Sequence, residues 1–400
     1  MTHSLEPSRR AFIADSTLGL LGIVTAAKAR GRRREPPFDA ELVYVGTYTD
    51  GDRSDGIYLV HMDTRSGELR LIGSVNAGAN PSFLAIHPNG RVLYAVNEVE
   101  QHNGKATGVV SAFAIVDETG ELTRLNEQSS EGGAPCYVSV DQRGRVALVA
   151  NYAGGNVALL PIERGGALGV ATDVEQHQGT GPNAERQEAA HAHCIAADPS
   201  NRFALAADLG IDRIVVYRLS LDERSLRHMP SGDARLRPGA GPRHIAFHPK
   251  LPLVFVANEL DSTVTTLRFD DERGALSVVD TRSTLPAEWT GKSYAADIHL
   301  ASLGRSLYVS NRGHNSIAVF SIADSTGALT LRQAVPTEGD WPRNFSMDPT
   351  GRWLLVANQR SGSIVLFRRD QESGLLTPTQ NKLAIPSPAC VRFRRAIDRS

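Results

Sequence analysis

From residue 42 onward, apolar residues come in short runs, each cut off by Gly, Pro, Asn or Asp. Runs of that length with turn residues between them read as strands rather than helices. The runs also follow a fixed order. A Gly/Pro turn opens onto a short apolar strand, a second Pro/Gly turn follows, and then comes an apolar run ending in Asn or Asp. Pro81-Ser82-Phe83-Leu84-Ala85-Ile86-His87-Pro88 leads to Leu93-Tyr94-Ala95-Val96-Asn97. Likewise Pro342-Arg343-Asn344-Phe345-Ser346-Met347-Asp348-Pro349 leads to Leu354-Leu355-Val356-Ala357-Asn358. The same ruler places Pro135 with Asn151, Ala192 with Asp208, Pro242 with Asn258 and Ala295 with Asn311.

The openings fall at residues 81, 135, 192, 242, 295, 342 and 388, so the repeat is longer than the ~40–45 residues of one common propeller unit and leaves room for four strands with extended loops. Later runs such as Ile317–Ile322 and Ile364–Phe367 are β-branched and aromatic, and each leads into a Gly-containing turn. The pattern predicts an all-β chain, a seven-bladed β-propeller. Its seventh unit opens at Pro388, but the chain ends at Ser400. The missing strand is available at the other end, where Leu42-Val43-Tyr44-Val45-Gly46-Thr47 matches Leu93 to Asn97. Closing one blade with strands from both termini removes the free edge between the first and last units. An array of β-sandwiches, the other all-β option, gives no reason for the two partial units to be complementary.

The first forty residues do not follow the repeat. Ser8-Arg9-Arg10-Ala11-Phe12-Ile13 resembles a twin-arginine export motif; a short apolar stretch from Leu18 to Ala27 follows, and Ala27-Lys28-Ala29 fits a small-x-small cleavage site. The expectation is a signal peptide over 1–29, a linker over 30–41 and a propeller over 42–400, in a periplasmic or secreted protein; if the signal is unused, the protein is cytoplasmic. The apolar stretch is too short for a stable membrane anchor. Forty-three basic against 44 acidic residues give a net charge of -1, which offers nothing to nucleic acid. Three cysteines, Cys136, Cys194 and Cys390, form neither a disulfide framework nor a zinc-spaced cluster. No cofactor and no metal is expected, although scattered oxygens could still hold Ca²⁺ or Mg²⁺.

In a propeller, the start of each innermost strand and the end of the next strand meet at one mouth of the central channel. Two sequence columns should therefore ring that mouth. One is Ser82, Cys136, His193, Arg243, Ala296, Arg343 and Ala389; the other is Tyr48, Glu98, Tyr152, Leu209, Glu259, Arg312 and Gln359. One residue further along the innermost strands come His244, Asp297 and Asn344. One imidazole, two carboxylates and three guanidinium groups at one place suit a small anionic substrate. For any single arginine, an ion-pair brace to Glu98 or Glu259 is as good a reading. His87 and His248 precede prolines in a turn column and read as structural, as does the Asn/Asp column, whose side chains suit turns. The cysteines read as small buried side chains.

Gly241-Pro242-Arg243-His244-Ile245-Ala246-Phe247-His248-Pro249 with Val256-Ala257-Asn258-Glu259-Leu260 resembles a hallmark segment of the lactonase family, which includes 6-phosphogluconolactonases and carboxy-muconate lactonizing enzymes. Further matches are Ala296-Asp297-Ile298-His299 with Leu307–Arg312, His191-Ala192-His193 with Asp198-Pro199, Asn151-Tyr152 with Gly155-Asn156-Val157, and Pro342-Arg343-Asn344-Phe345. The resemblance spans roughly residues 42 to 395. It implies a lactone hydrolase, with His193, Glu259, Arg243 and Arg312 as catalytic residues. Arg343, His244, Asp297, Glu98, Asn151 and Tyr152 are the expected substrate-binding residues, and the ligand is a small anionic or polyhydroxylated lactone. Two other readings stay open: a lactonizing lyase, and a propeller that only binds a ligand or protein, since a fold alone does not fix function.

Overall fold

The computed structural model describes residues 40–50 and 54–394; the expected signal peptide and most of the linker lie outside them. Ala40 and Glu41, expected as linker, already belong to the first strand, where they pair with Asp63 and Met62. The described residues form seven antiparallel sheets arranged as propeller blades. Six are continuous in sequence, each running from innermost to outermost strand; blade 5, for example, is Pro242–Phe247, Leu253–Asn258, Thr263–Asp270 and Ala275–Ser283. Blade 1 is the composite one. Its innermost strand is Pro388–Phe393, which pairs with Ala40–Thr47, followed by Ile57–Asp63 and Leu69–Val75. Both termini thus close the ring, as the repeat demands.

The sixteen-residue ruler is a strand register. Pro135 pairs with Asn151, Ala192 with Asp208, Pro242 with Asn258, Ala295 with Asn311 and Pro342 with Asn358. The pairing shifts immediately afterwards. A β-bulge lies between Pro135 and Tyr137, Ala192 and Cys194, Pro242 and His244, and Pro342 and Asn344. The extra residues are Cys136, His193, Arg243 and Arg343, all from the first mouth column. A bulge breaks the strict alternation of a strand and re-aims a side chain. That is how neighbours such as Arg243 and His244 can both serve the channel.

Second strands are the most buried; Val92–Asn97 and Trp353–Asn358 present no exposed residue, since each is covered by its own blade and its neighbours. The Asn column works over a longer range than a local turn. Asn97 donates to Ala77 O and Ala79 O, Asn151 to Ser130 O, Asn311 to Thr284 O and Asn358 to Thr337 O. Each pins the connection arriving from the preceding blade. Other columns bolt neighbouring blades together. Tyr44, Tyr94 and Tyr308 donate their hydroxyls to the carbonyls of Gly120, Gly166 and Gly374. His87 and His248 donate to Gly144 O and Gly304 O, confirming their structural role. Gly374 must be glycine: its φ is +77°, and a Cβ would lie 2.2 Å from Ser306 Oγ.

Candidate active site

The bulged residues and the ends of the second strands meet at one mouth of the channel, in two charged groups. The first is centred on Glu259, buried at the end of Leu253–Asn258. Its Oε2 accepts Nε of Arg243 at 3.0 Å and faces Nη2 of Arg312 at 2.7 Å. Its Oε1 accepts Nη2 of Arg186 at 2.7 Å. Burial alone would raise the Glu259 carboxyl; Arg312, then Arg243 and Arg186, outweigh it and hold the pKa far below the ordinary range. Glu259 is therefore a fixed anion. Burial pushes Arg312 down to about 10, against the pull of Glu259.

The second group joins blades 1, 2 and 7. Tyr48 donates to Glu98 Oε2 at 2.7 Å, and the Ser82 hydroxyl donates to the same oxygen. The Arg343 guanidinium lies 3.9 Å from that oxygen and 5.1 Å from the centre of the Tyr48 ring. It makes no hydrogen bond among the described residues. Burial opposes its charge, but Tyr48, Glu98 and Glu259 more than offset this and push its pKa up. Arg343 is thus a firmly charged group with unspent donors. Arg312 Nε and Gln359 Oε1, both from the second column, are likewise buried without a partner among the described residues. Unpaired buried polar groups are uncommon, so these two mark hydrogen-bonding capacity at the mouth that the fold does not spend.

His193 stands between these groups, 5% exposed. Its ring meets Tyr152 edge-on at 5.6 Å and His244 at 5.3 Å. Nδ1 faces the Cys136 sulfur at 3.6 Å, and Nε2 has no partner among the described residues. Burial, Arg243, His244 and Arg343 hold its pKa well below the ordinary value, so the ring is neutral near pH 7. Among the described residues no carboxylate pairs with it; Glu259 braces arginines, in line with the ion-pair reading of the sequence. Burial raises the Cys136 thiol well above its usual range, which leaves it unionised.

His244 and Asp297 lie one layer deeper. Asp297 Oδ1 accepts His244 Nδ1 at 2.8 Å, and His244 Nε2 faces Arg243 Nη1 at 3.2 Å. Asp297 Oδ2 accepts His299 Nε2 at 2.9 Å and the Asn344 amide. Both nitrogens of His244 are spent within this network, which buttresses Arg243 from below. Asn151 is fully buried and its amide holds Ser130 O and Asn156 Oδ1, which keeps it in the wall behind the mouth. Its neighbour Tyr152 reaches the site, where its hydroxyl accepts Arg186 Nη2 at 3.1 Å and its ring stacks on His191 at 4.5 Å.

Arg186 escaped the sequence reading because it belongs to no column. It rides on the connection between blades 3 and 4, anchored by the buried Gln187, whose amide donates to Leu209 O and Asp212 Oδ1. A third arginine on a carboxylate that already has two is visible only in three dimensions.

A closed seven-bladed ring, with an unspent guanidinium and a neutral buried imidazole at one mouth, defines a β-propeller with a charged cluster at the mouth of its channel. Residues 42–393 match the family described as Lactonase, 7-bladed beta-propeller, and the chain belongs to that family. It is 39% identical over 353 residues to a 6-phosphogluconolactonase of Bacillus subtilis, covering 88% of this chain and 97% of that protein. A 6-phosphogluconolactonase of Formosa agariphila is 34% identical, covering 86% and 96%. Among solved structures, the periplasmic gluconolactonase of Pseudomonas aeruginosa superposes with a TM-score of 0.83 at 32% identity, covering 89% of this chain and 99% of that one.

Proposed function

We propose that the protein hydrolyses a sugar lactone to the aldonic acid, with His193 as general base and no bound metal. The observation that carries this is the neutral His193, whose Nε2 has no partner among the described residues, in the field of the unspent guanidinium of Arg343. Ester hydrolysis needs a base for the attacking water and cationic donors for the developing oxyanion. Glu259, braced by three arginines, is too weak a base and serves to fix Arg243 and Arg312. Those two would stabilise the oxyanion, and Arg343 would hold the polar end of the substrate. Water adds to the ring carbonyl, His193 takes its proton, and collapse of the tetrahedral intermediate expels the ring oxygen, which receives a proton as the acid is released. The aldonolactones named for the relatives are the natural class to try. A pH-stat assay on gluconolactone, 6-phosphogluconolactone and a muconate lactone, with and without chelator, tests this reading. Acceleration over spontaneous opening on either sugar lactone, unchanged by chelator, is expected. No acceleration on any of the three would leave a binding propeller.

Export bears on which lactone is natural. The Arg9-Arg10 motif and the Ala27-Lys28-Ala29 site support a periplasmic enzyme acting on an unphosphorylated lactone, since the phosphorylated one is a cytosolic metabolite. Replacing both arginines by lysine is expected to leave the precursor in the cytoplasm when cell fractions are blotted. Undiminished periplasmic accumulation of that variant would remove the support.

A further inference from the structure

The innermost strands run from the reaction mouth, at Pro242 and Ala295, toward the opposite face of the ring, at Phe247 and Leu300. Beyond the His244–Asp297 layer, on that far side, lies a cavity of about 290 Å³, lined by neither His193 nor Arg343. Tyr137, Ala246, His299, Leu300 and Arg392 line it. Arg392 comes from the closing strand Pro388–Phe393. Its Nε donates to Leu84 O at 3.0 Å, its Nη1 to Val391 O at 2.8 Å and Asn344 Oδ1 at 3.4 Å, and its guanidinium covers the Phe83 ring at 4.6 Å. All these partners are neutral. Among the described residues no carboxylate comes within ion-pair distance of Arg392, and its Nη2 has no hydrogen-bond partner. Asp297, the acid in the same lining, already serves His244, His299, Asn344 and the Phe345 amide.

A half-buried guanidinium with no carboxylate at ion-pair distance is completed by an anion or by water. Here the cation lines a cavity large enough for a small organic acid. Two further groups sit in the same wall. Among the described residues His299 commits only Nε2, to Asp297, and Tyr137 brings a phenol whose hydroxyl also meets the Cys194 thiol.

We propose that this far-side cavity is a second, anion-binding site for a small oxyanion, the carboxylate of a sugar acid or inorganic phosphate, held by Arg392 with Tyr137 and His299 beside it. The planar fork of an arginine suits either group. The site is separate from the mouth: it shares with it only the His244–Asp297 layer and contains neither His193 nor Arg343. The proposal does not rest on lactone hydrolysis, because binding is measured without turnover.

Calorimetric titration of the full chain with sodium gluconate, and separately with sodium phosphate, at constant ionic strength in chloride tests it. At least one of the two is expected to bind at a site that survives Arg343→Ala in the mouth. Arg392→Gln removes the cation, and Ala246→Met fills the cavity without touching a charge. Each is expected to weaken that site roughly ten- to a hundred-fold, the scale of one charge-assisted hydrogen bond, while the lactone KM stays put. Binding of gluconate alone identifies a sugar-acid site; binding of both identifies a general oxyanion site. If Arg392→Gln fails to fold, Ala246→Met decides. Wild-type affinity in the folded Ala246→Met variant, or no anion binding that survives Arg343→Ala, overturns the proposal.

Discussion

His193→Ala is expected to lower kcat by roughly 10²–10⁴, the usual span for loss of a general base, with little change in melting temperature. The ring spends no strong hydrogen bond on the fold, so its removal is felt in the chemistry. Arg343→Ala, by contrast, is expected to act mainly through KM, because its guanidinium is free to hold substrate and takes no part in bond making. Glu259→Gln is the necessary comparison. It leaves Arg243 and Arg312 buried without their counter-ion, and breaking such a pair costs about 3–5 kcal/mol, so its activity must be read beside its melting temperature. The pH profile tests the lowered His193 pKa rather than the choice between the two bases, since Glu259 is deprotonated over the same range. A base works in its deprotonated form, which prevails above its pKa. Burial, Arg243, His244 and Arg343 lower the His193 pKa, so enzymatic kcat/KM, after subtraction of spontaneous hydrolysis, should stay level as pH falls through 6.5 and drop only on the more acid side. If His193→Ala keeps near-full kcat while a folded Glu259→Gln is inactive, the roles are reversed.

Most of this architecture could be read from the sequence because a propeller repeats it. The opening residue and the Asn or Asp sixteen positions later face each other in a strand register, so their spacing could not drift without breaking a sheet. The same regularity brought His193, Arg243, Glu259 and Arg312 together on paper: residues at equal depth in successive blades must converge on the axis. What the repeat could not show falls into two kinds. The bulges at Cys136, His193, Arg243 and Arg343 are backbone events with no distinctive residue type, yet they decide which neighbours reach the channel. This is why His244 and Asp297, adjacent in sequence to the mouth residues, buttress Arg243 from a deeper layer. The other kind is the unrepeated connection. Arg186 lies where blades 3 and 4 are joined, and its role follows from Glu259 having a free oxygen that only the folded ring reveals.

Deleting residues 386–400 is expected to abolish the folded ring, not to trim a tail. The segment carries the whole innermost strand of blade 1, in which Ala389, Cys390, Val391 and Phe393 are buried and Val43 through Thr47 find their partners. Burying a Val or Phe side chain contributes about 1.5–3 kcal/mol, so this strand alone removes several kcal/mol from a total that is typically 5–15. Losses beyond the strand follow. Asn344 Oδ1 loses the Val391 amide, Leu84 loses its contacts with Cys390 and Arg392, and Gly90 O and Asp117 lose Arg394. These partners belong to blades 2 and 7, so both neighbours of the composite blade are damaged at once. The cut also leaves Ala40–Thr47 as a free edge lining the channel, a template for pairing with another chain. Cooperative thermal unfolding followed by circular dichroism is the measurement, and loss of the transition, with aggregation, is the expected result. A truncated protein that melts at the wild-type temperature would show that the ring does not depend on its terminal closure.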